Sequence, residues 1–256
     1  MSFSKDVACI IIEYSAEYKL LEWIDIEKIN LSELSTNSHA IDLLVANLDQ
    51  INWDWLSWNT SAIHLLKANP DKINWSYLSS NPAAIDLLIA NPDKIDWKFL
   101  SANSAAIELL KSNPDEINWQ LLSTNTSAMG LLKNNPDKIN WTELSRNSAA
   151  MDLLLANPDK IDWNGLSQNP AAMDLLLANP DKINWLLLSA NPHPTAIELL
   201  KTNPYNIDWN VLSLNSSAID LLKNNPDKIE WFWINDNTAI FERVINPKLI
   251  DILLEM

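Results

Sequence analysis

The chain has 256 residues and a formal net charge of −15, from 18 Lys and Arg against 33 Asp and Glu. That balance argues against nucleic-acid backbones and anionic membrane surfaces as partners, because both are held by clustered Lys and Arg. The one cysteine, Cys9, excludes an intramolecular disulfide framework and points to a reducing, cytoplasmic setting.

The amino-terminal stretch MSFSKDVACIIIEY holds an apolar run only from Val7 to Ile12. It is too short for a signal h-region or a membrane span, and reads as a terminal cap packed on the first repeat. Residues 1–28 are divergent, and 16–28 look like the second half of a repeat with one residue inserted. Regular units then begin at Ile29, Ile51, Ile73, Ile95, Ile117, Ile139, Ile161, Ile183 and Ile207. The spacing is 22 residues except for a 24-residue unit at 183–206, where His193 and Pro194 interrupt the pattern and predict a local bulge or a change of superhelical angle. A degenerate unit starts at Ile229 and runs into a final apolar helix over 248–256. The domains are therefore a cap (1–28), nine tandem repeats (29–228), and a degenerate repeat with a second cap (229–256).

The unit 73–94 shows the internal logic. Asn74 is a good helix N-cap, and Ile73 and Leu78 stand where a hydrophobic staple places them. At 100° per residue, Trp75, Leu78 and Ser79 point inward. Asn81 caps a second helix with Pro82 at its first position, where the missing N–H costs nothing. There Ala84, Ile85, Leu87 and Leu88 form the inward stripe, with Ala83, Asp86 and Ala90 facing water. The residue before Pro92 leaves the α region, and Asn91-Pro92-Asp93-Lys94 suits a type I turn. No such unit buries its apolar face alone, so burial is shared between neighbours. The predicted fold is all-α: an α-solenoid, a superhelical rod of about ten two-helix repeats with terminal caps. Stacking at 8–10 Å per layer makes it on the order of 80–100 Å long.

The phrase NPxAIxLLxxNPDKIxWxxLSxN, as in 81–103 and (with Met173 for the Ile) in 169–191, resembles tandem-repeat proteins encoded by giant DNA viruses of amoebae. The resemblance covers about 29–234. It implies a viral source, with the host cytoplasm or the virion as location, and carries no assigned activity. The alternation of a short and a longer helix is also similar to the leucine-rich variant solenoid, in architecture only.

Most of the conspicuous columns read as scaffold. Trp53, Trp75, Trp97 and their successors hold an inward position in almost every unit. Asn37, Asn59, Asn81 and the rest of that column recur as caps, and a residue that never varies encodes no varied target. The Ser column has no His companion at any fixed offset, so it builds no hydrolase triad. His39, His64 and His193 share neither a repeat position nor a metal spacing. The acidic column (Asp42, Asp86, Glu108, Asp152, Asp174, Glu198, Asp220) offers one carboxylate per layer, too sparse for calcium, and reads as a solvated face. No Gly-rich phosphate loop exists. These columns supply no catalytic, cofactor-binding or metal-binding residue, and no cofactor is implied.

The informative positions vary from unit to unit. The fifth holds Glu33, Trp55, Tyr77, Phe99, Leu121, Glu143, Gly165, Leu187 and Val211, and Trp58 stands at the eighth position of its unit. Trp55, Trp58, Tyr77, Phe99 and Leu121 form a candidate protein-binding ridge, because contiguous exposed apolar and aromatic surface marks partner sites. The competing reading is that adjacent short helices half-bury this column. The expected function is a non-enzymatic repeat scaffold for protein–protein interaction. The alternatives are a structural virion or self-assembling component and an acidic nucleic-acid mimic. A one-base-per-repeat RNA reader fits the charge poorly. Self-association would use the apolar carboxy-terminal unit (Phe232, Trp233, Phe241, Val244, Ile250, Leu253, Leu254).

Overall fold

A computed structural model describes residues 16–245. Cys9, the run 7–12 and the expected helix over 248–256 lie outside the described residues. The chain is mostly helical and built from repeated short helices, with one two-stranded antiparallel sheet, β1 (Ala16–Leu20) with β2 (Phe241–Ile245). No helix among the described residues is long and apolar enough to cross a membrane.

Unit 73–94 forms as its caps dictate. The Asn74 carboxamide oxygen accepts the Tyr77 N–H and starts the helix Trp75–Ser79. Asn81 accepts the Ala83 N–H, and one 3₁₀ turn, Pro82–Ala84, leads into the helix Ile85–Ile89. The expected turn is a second 3₁₀ turn, Pro92–Lys94. Helices this short are marginal alone, so packing between units has to hold them.

The core is narrower than the periodicity suggests. Leu78, Ala84 and Leu88 are wholly buried, and their equivalents are buried in every regular unit. Trp75, Ile85 and Leu87, expected inside, are only half-buried and pack against the flank of the leucine column. A ring system as large as indole cannot fit between layers that small residues hold close, so Trp covers the core edge instead of filling it.

Two buried polar ladders join the units. Asn59 Nδ2 donates to the carbonyls of Ser35 (3.0 Å) and Asn37 (2.9 Å) in the preceding unit, and Asn81, Asn103, Asn125, Asn147, Asn169 and Asn191 repeat this. Each Ser hydroxyl, such as Ser57, donates to the Trp53 carbonyl and accepts the N–H of Asn74 in the next unit. Among the described residues, no buried side-chain nitrogen or oxygen lacks a partner. The 24-residue unit leaves the ladder intact. Its extra residues are absorbed by one continuous helix, Pro194–Thr202, capped by His193, and Asn215 still donates to Ser189 and Asn191 at 3.0 and 2.9 Å. The expected bulge is thus a local change of helix type.

The ladder does not stop at the ends. Asn37 Nδ2 donates to the carbonyls of Asn235 (2.8 Å) and Asn237 (3.2 Å), the same bonds that every later Asn makes to the unit before it. In the tenth unit Asn235 replaces the column Ser; its Nδ2 donates to the Trp231 carbonyl and its Oδ1 accepts the Asn30 N–H at 3.1 Å. His39 Nδ1 lies 2.9 Å from the Thr238 carbonyl while its ring stacks on Tyr18, 4.0 Å between centroids. β1 and β2 pair from Ala16↔Ile245 to Leu20↔Phe241, setting Lys19 opposite Glu242. The expected open rod with two separate caps is therefore corrected to a closed array: unit ten stacks on unit one, and the two terminal segments pair with each other. A full turn shared by ten units is about 36° per unit, the condition under which a head-to-tail interface closes into a ring.

Closure gives the array an inside. Several successive first helices, such as Trp141–Arg146 with Trp163–Gln168, pack on each other more extensively than successive second helices do. In a curved stack the crowded elements lie on the concave side, so the first helices line the central opening and the second helices form the outer rim. The most extensive packing is between Trp141–Arg146 and Trp163–Gln168, and Gly165 permits it. A Cβ on Gly165 would stand 2.9 Å from the Thr142 carbonyl oxygen and 3.1 Å from Arg146 Cγ. Its φ is not positive, so the requirement is space alone. Gly165→Ala is expected to lower stability by roughly 1 kcal/mol, because overpacking of about 1–3 kcal/mol outweighs the ~1 kcal/mol gain in helix propensity. Thermal unfolding checks it; a stabilised variant would mean the layers yield easily.

Candidate interaction surface on the concave face

The fourth, fifth and eighth positions of each unit belong to the first helix and so lie on the concave side. They are also positions at which units differ. On the outer rim Asp86, Glu108, Asp152, Asp174, Glu198 and Asp220 are all exposed, and the seventeenth position varies between Lys and an exposed apolar residue such as Ile89 or Leu155. Glu108 pairs with Lys111 at 2.7 Å and Glu198 with Lys201 at 2.8 Å, exposed pairs of ~0–1 kcal/mol each. Asp42 instead accepts the Tyr18 N–H at 3.4 Å and tethers β1.

The fifth column is half-buried, as the competing reading expects. Trp55, Tyr77, Phe99 and Leu121 are half-buried between neighbouring helices, whereas Trp58 is 48% exposed. Trp58 stacks on Tyr77 (centroids 5.4 Å, planes 12° apart), and Tyr77 meets Phe99 edge-on at 6.1 Å and 83°. Lys98 Nζ lies 5.8 Å from the Phe99 ring. Leu121 is in the following unit, with no ring of its own to extend the stack. Offset and T-shaped ring pairs of this kind are mutually stabilising by ~0.5–1.5 kcal/mol, so the strip is ordered without a partner.

Comparison with protein-family models, curated proteins and solved structures finds no match. The reading of this face therefore stands on its geometry.

Closure adds residues to the strip. Beyond Trp58, across unit one, lie Phe232 and Trp233 of unit ten, 53% and 41% exposed. Their rings meet edge-on at 4.9 Å and 86°. Glu33, Thr36, Trp55, Trp58, Phe232, Trp233 and Asp236 line one recess of about 230 Å³. The Thr36 hydroxyl donates to the Asp236 carboxylate, with the Glu33 carbonyl 3.3 Å away as the alternative acceptor. Phe232 and Trp233 were legible as an unusually apolar unit, but nothing local in the sequence places them beside Trp55. The available signal was the register: unit ten carries aromatics at the fourth and fifth positions, and unit two carries them at the fifth and eighth. Among the described residues, no group of three His, Cys, Asp or Glu is disposed to hold a metal ion. His193 is occupied as a helix cap and His39 at the seam.

Burial, and then the neighbouring Asp236 carboxylate, push the Glu33 carboxyl above its ordinary value. The folded chain then holds the Glu33 proton more tightly than the unfolded chain, so stability falls as pH rises through the carboxylate range. Glu33→Gln removes that cost at neutral pH and removes nothing in acid, where both residues are neutral. The expected result is a melting temperature about 1–2 °C higher at pH 7, the solvent-screened end of the scale. The difference should vanish near about pH 3, below the unfolded carboxylate value; a gain that persists in acid would point to packing instead of charge.

Proposed function

We propose that the protein is a non-enzymatic interaction scaffold that holds a segment of a partner protein along its concave face. Trp55, Trp58, Tyr77, Phe99 and Leu121 are the contact arc. The observation that carries this reading is the division of labour in the repeat. What recurs (the Leu core, the Asn and Ser ladders, the turns) joins the units, and among the positions that vary, the fifth and eighth bring aromatics together into a continuous partly exposed strip. Aromatic side chains anchored by neighbours and open on one face are the residues that dominate interface energetics. The acidic mimic remains the second reading, carried by the exposed carboxylates of the outer rim. The self-assembly reading keeps Phe232 and Trp233, which stay exposed, and loses Phe241, which is buried.

The test is affinity capture with the intact chain and with Tyr77→Ser/Phe99→Ser, with a photo-crosslinker placed at Ser80 to mark the concave face. The variant should lose the partner, and crosslinks should form. Recovery of the same partner by the variant places binding elsewhere; partners released by salt and shared by the variant favour the outer carboxylates.

A further inference from the structure

We propose that the recess at the closing seam binds the ammonium end of a lysine side chain, with methylated lysine held best. The proposal rests on the concave face being the partner-binding surface and names the chemistry that one part of it selects. Four aromatic residues converge there from units two and ten: Trp55, Trp58, Phe232 and Trp233. Phe232 and Trp233 stand perpendicular and supply two adjoining walls, while the exposed Trp58 supplies a third across the gap. The faces of aromatic rings carry negative potential, and a cation within about 6 Å of several of them is held by their summed quadrupoles. Two carboxylates, Glu33 and Asp236, line the same recess, and no Lys or Arg does.

That last point separates the recess from other aromatic residues of the chain. Lys138 Nζ sits 4.6 Å over the Trp119 ring, and Lys28 Nζ 4.7 Å over Trp231. At those places the protein supplies its own ammonium. At the seam it assembles more ring surface and two acids and lines them with no cation. A recess of about 230 Å³ is below the ~300–1,000 Å³ of drug-sized pockets, a size suited to one alkylammonium head on a flexible stem. Methylation favours the fit because it removes donors that the ring faces cannot satisfy and spreads apolar surface against them, while the charge is kept. A partner lying along Trp58, Tyr77 and Phe99 would carry such a side chain at one end of its contact.

The test uses the full chain and short peptides identical except at one position: lysine, trimethyllysine, or norleucine as the uncharged isostere. Free tetramethylammonium chloride is the fourth arm. Tryptophan fluorescence and calorimetry give the affinities. The expected order is trimethyllysine, then lysine, with norleucine at least about 10-fold weaker than trimethyllysine, the size of a few cation–π contacts. Trp58→Leu and Phe232→Leu keep apolar volume at exposed positions while removing a ring face, and each should weaken trimethyllysine binding about 5- to 10-fold while lowering the melting temperature by only a few degrees, the cost of one ring pair. Norleucine binding as tightly as trimethyllysine, or leucine variants binding as tightly as the natural chain, overturns the proposal. So does binding of tetramethylammonium with none of any peptide. If no arm binds while Tyr77→Ser/Phe99→Ser still abolishes partner capture, the ammonium site fails and the interaction surface stands. If trimethyllysine binds as expected while partner capture ignores that double variant, the reverse holds.

Discussion

Asn37→Ala is expected to destabilise the protein as much as Asn125→Ala, by about 3 kcal/mol in each case. Asn125 sits mid-array, donates to the carbonyls of Ser101 (3.1 Å) and Asn103 (3.0 Å) and accepts the Ser127 N–H at 3.0 Å. Asn37 sits in the first unit, yet makes the equivalent three bonds, two to Asn235 and Asn237 and one from the His39 N–H at 3.0 Å. Both side chains are buried. Alanine at either place removes three bonds of about 1 kcal/mol net each, and leaves buried backbone carbonyls short of a donor. In an open array the amide of Asn37 would face water, and its loss would cost only the cap, about 1 kcal/mol. Thermal or urea unfolding of the two variants side by side decides the matter. Equal losses mean the ladder runs through the seam; a threefold smaller loss at Asn37 means the first unit is an end.

What the sequence makes legible depends on how local each determinant is. The start of each helix is written in one residue, as at Asn74 and Asn81, whose carboxamides accept the N–H groups of Tyr77 and Ala83. The fully buried Leu78 and Leu88 come from the spacing of apolar residues alone. Trp75 is misread by the same rule, because angular position says which way a side chain points but not whether the gap there is wide enough for indole. Curvature is the least legible property. It is the sum of ten small rotations, and no single residue encodes an angle. Gly165 marks one tight layer, and its meaning is visible only with the Thr142 carbonyl 2.9 Å from where a Cβ would stand. The candidate site inherits this. Trp55, Trp58, Tyr77 and Phe99 are neighbours in successive units, so periodicity brings them together. Glu33 and Asp236 share a recess only because the ring closes, and a pairing such as Lys19 opposite Glu242 leaves no trace in either segment alone.

Removing residues 229–256 should turn the closed array into head-to-tail chains and cost the isolated molecule on the order of 5 kcal/mol or more. The truncation uncovers two faces together. On unit nine, the carbonyls of Ser213 and Asn215 lose the Asn237 amide. On unit one, the Asn37 amide and the Asn30 N–H lose Asn235 and Asn237. Three buried large apolar side chains of the tenth unit, Ile234, Ile240 and Phe241, go with it. At about 1.5–3 kcal/mol for each, their loss alone is comparable with the stability of a typical domain. The two uncovered faces carry the donors and carbonyls that pair at the regular joints, as Asn59 pairs with the carbonyls of Ser35 and Asn37. They cannot meet within one shortened chain without each joint turning by about 40° instead of about 36°, a change that a packed interior resists at every layer. They can meet between chains, and a head-to-tail contact that does not close propagates. Light scattering should therefore show mass growing with concentration for the truncated chain, alongside a melting temperature that rises with concentration. A truncated chain that stays monomeric with the melting temperature of the parent would show that unit ten closes nothing, and with it would fall the recess that units ten and two build together.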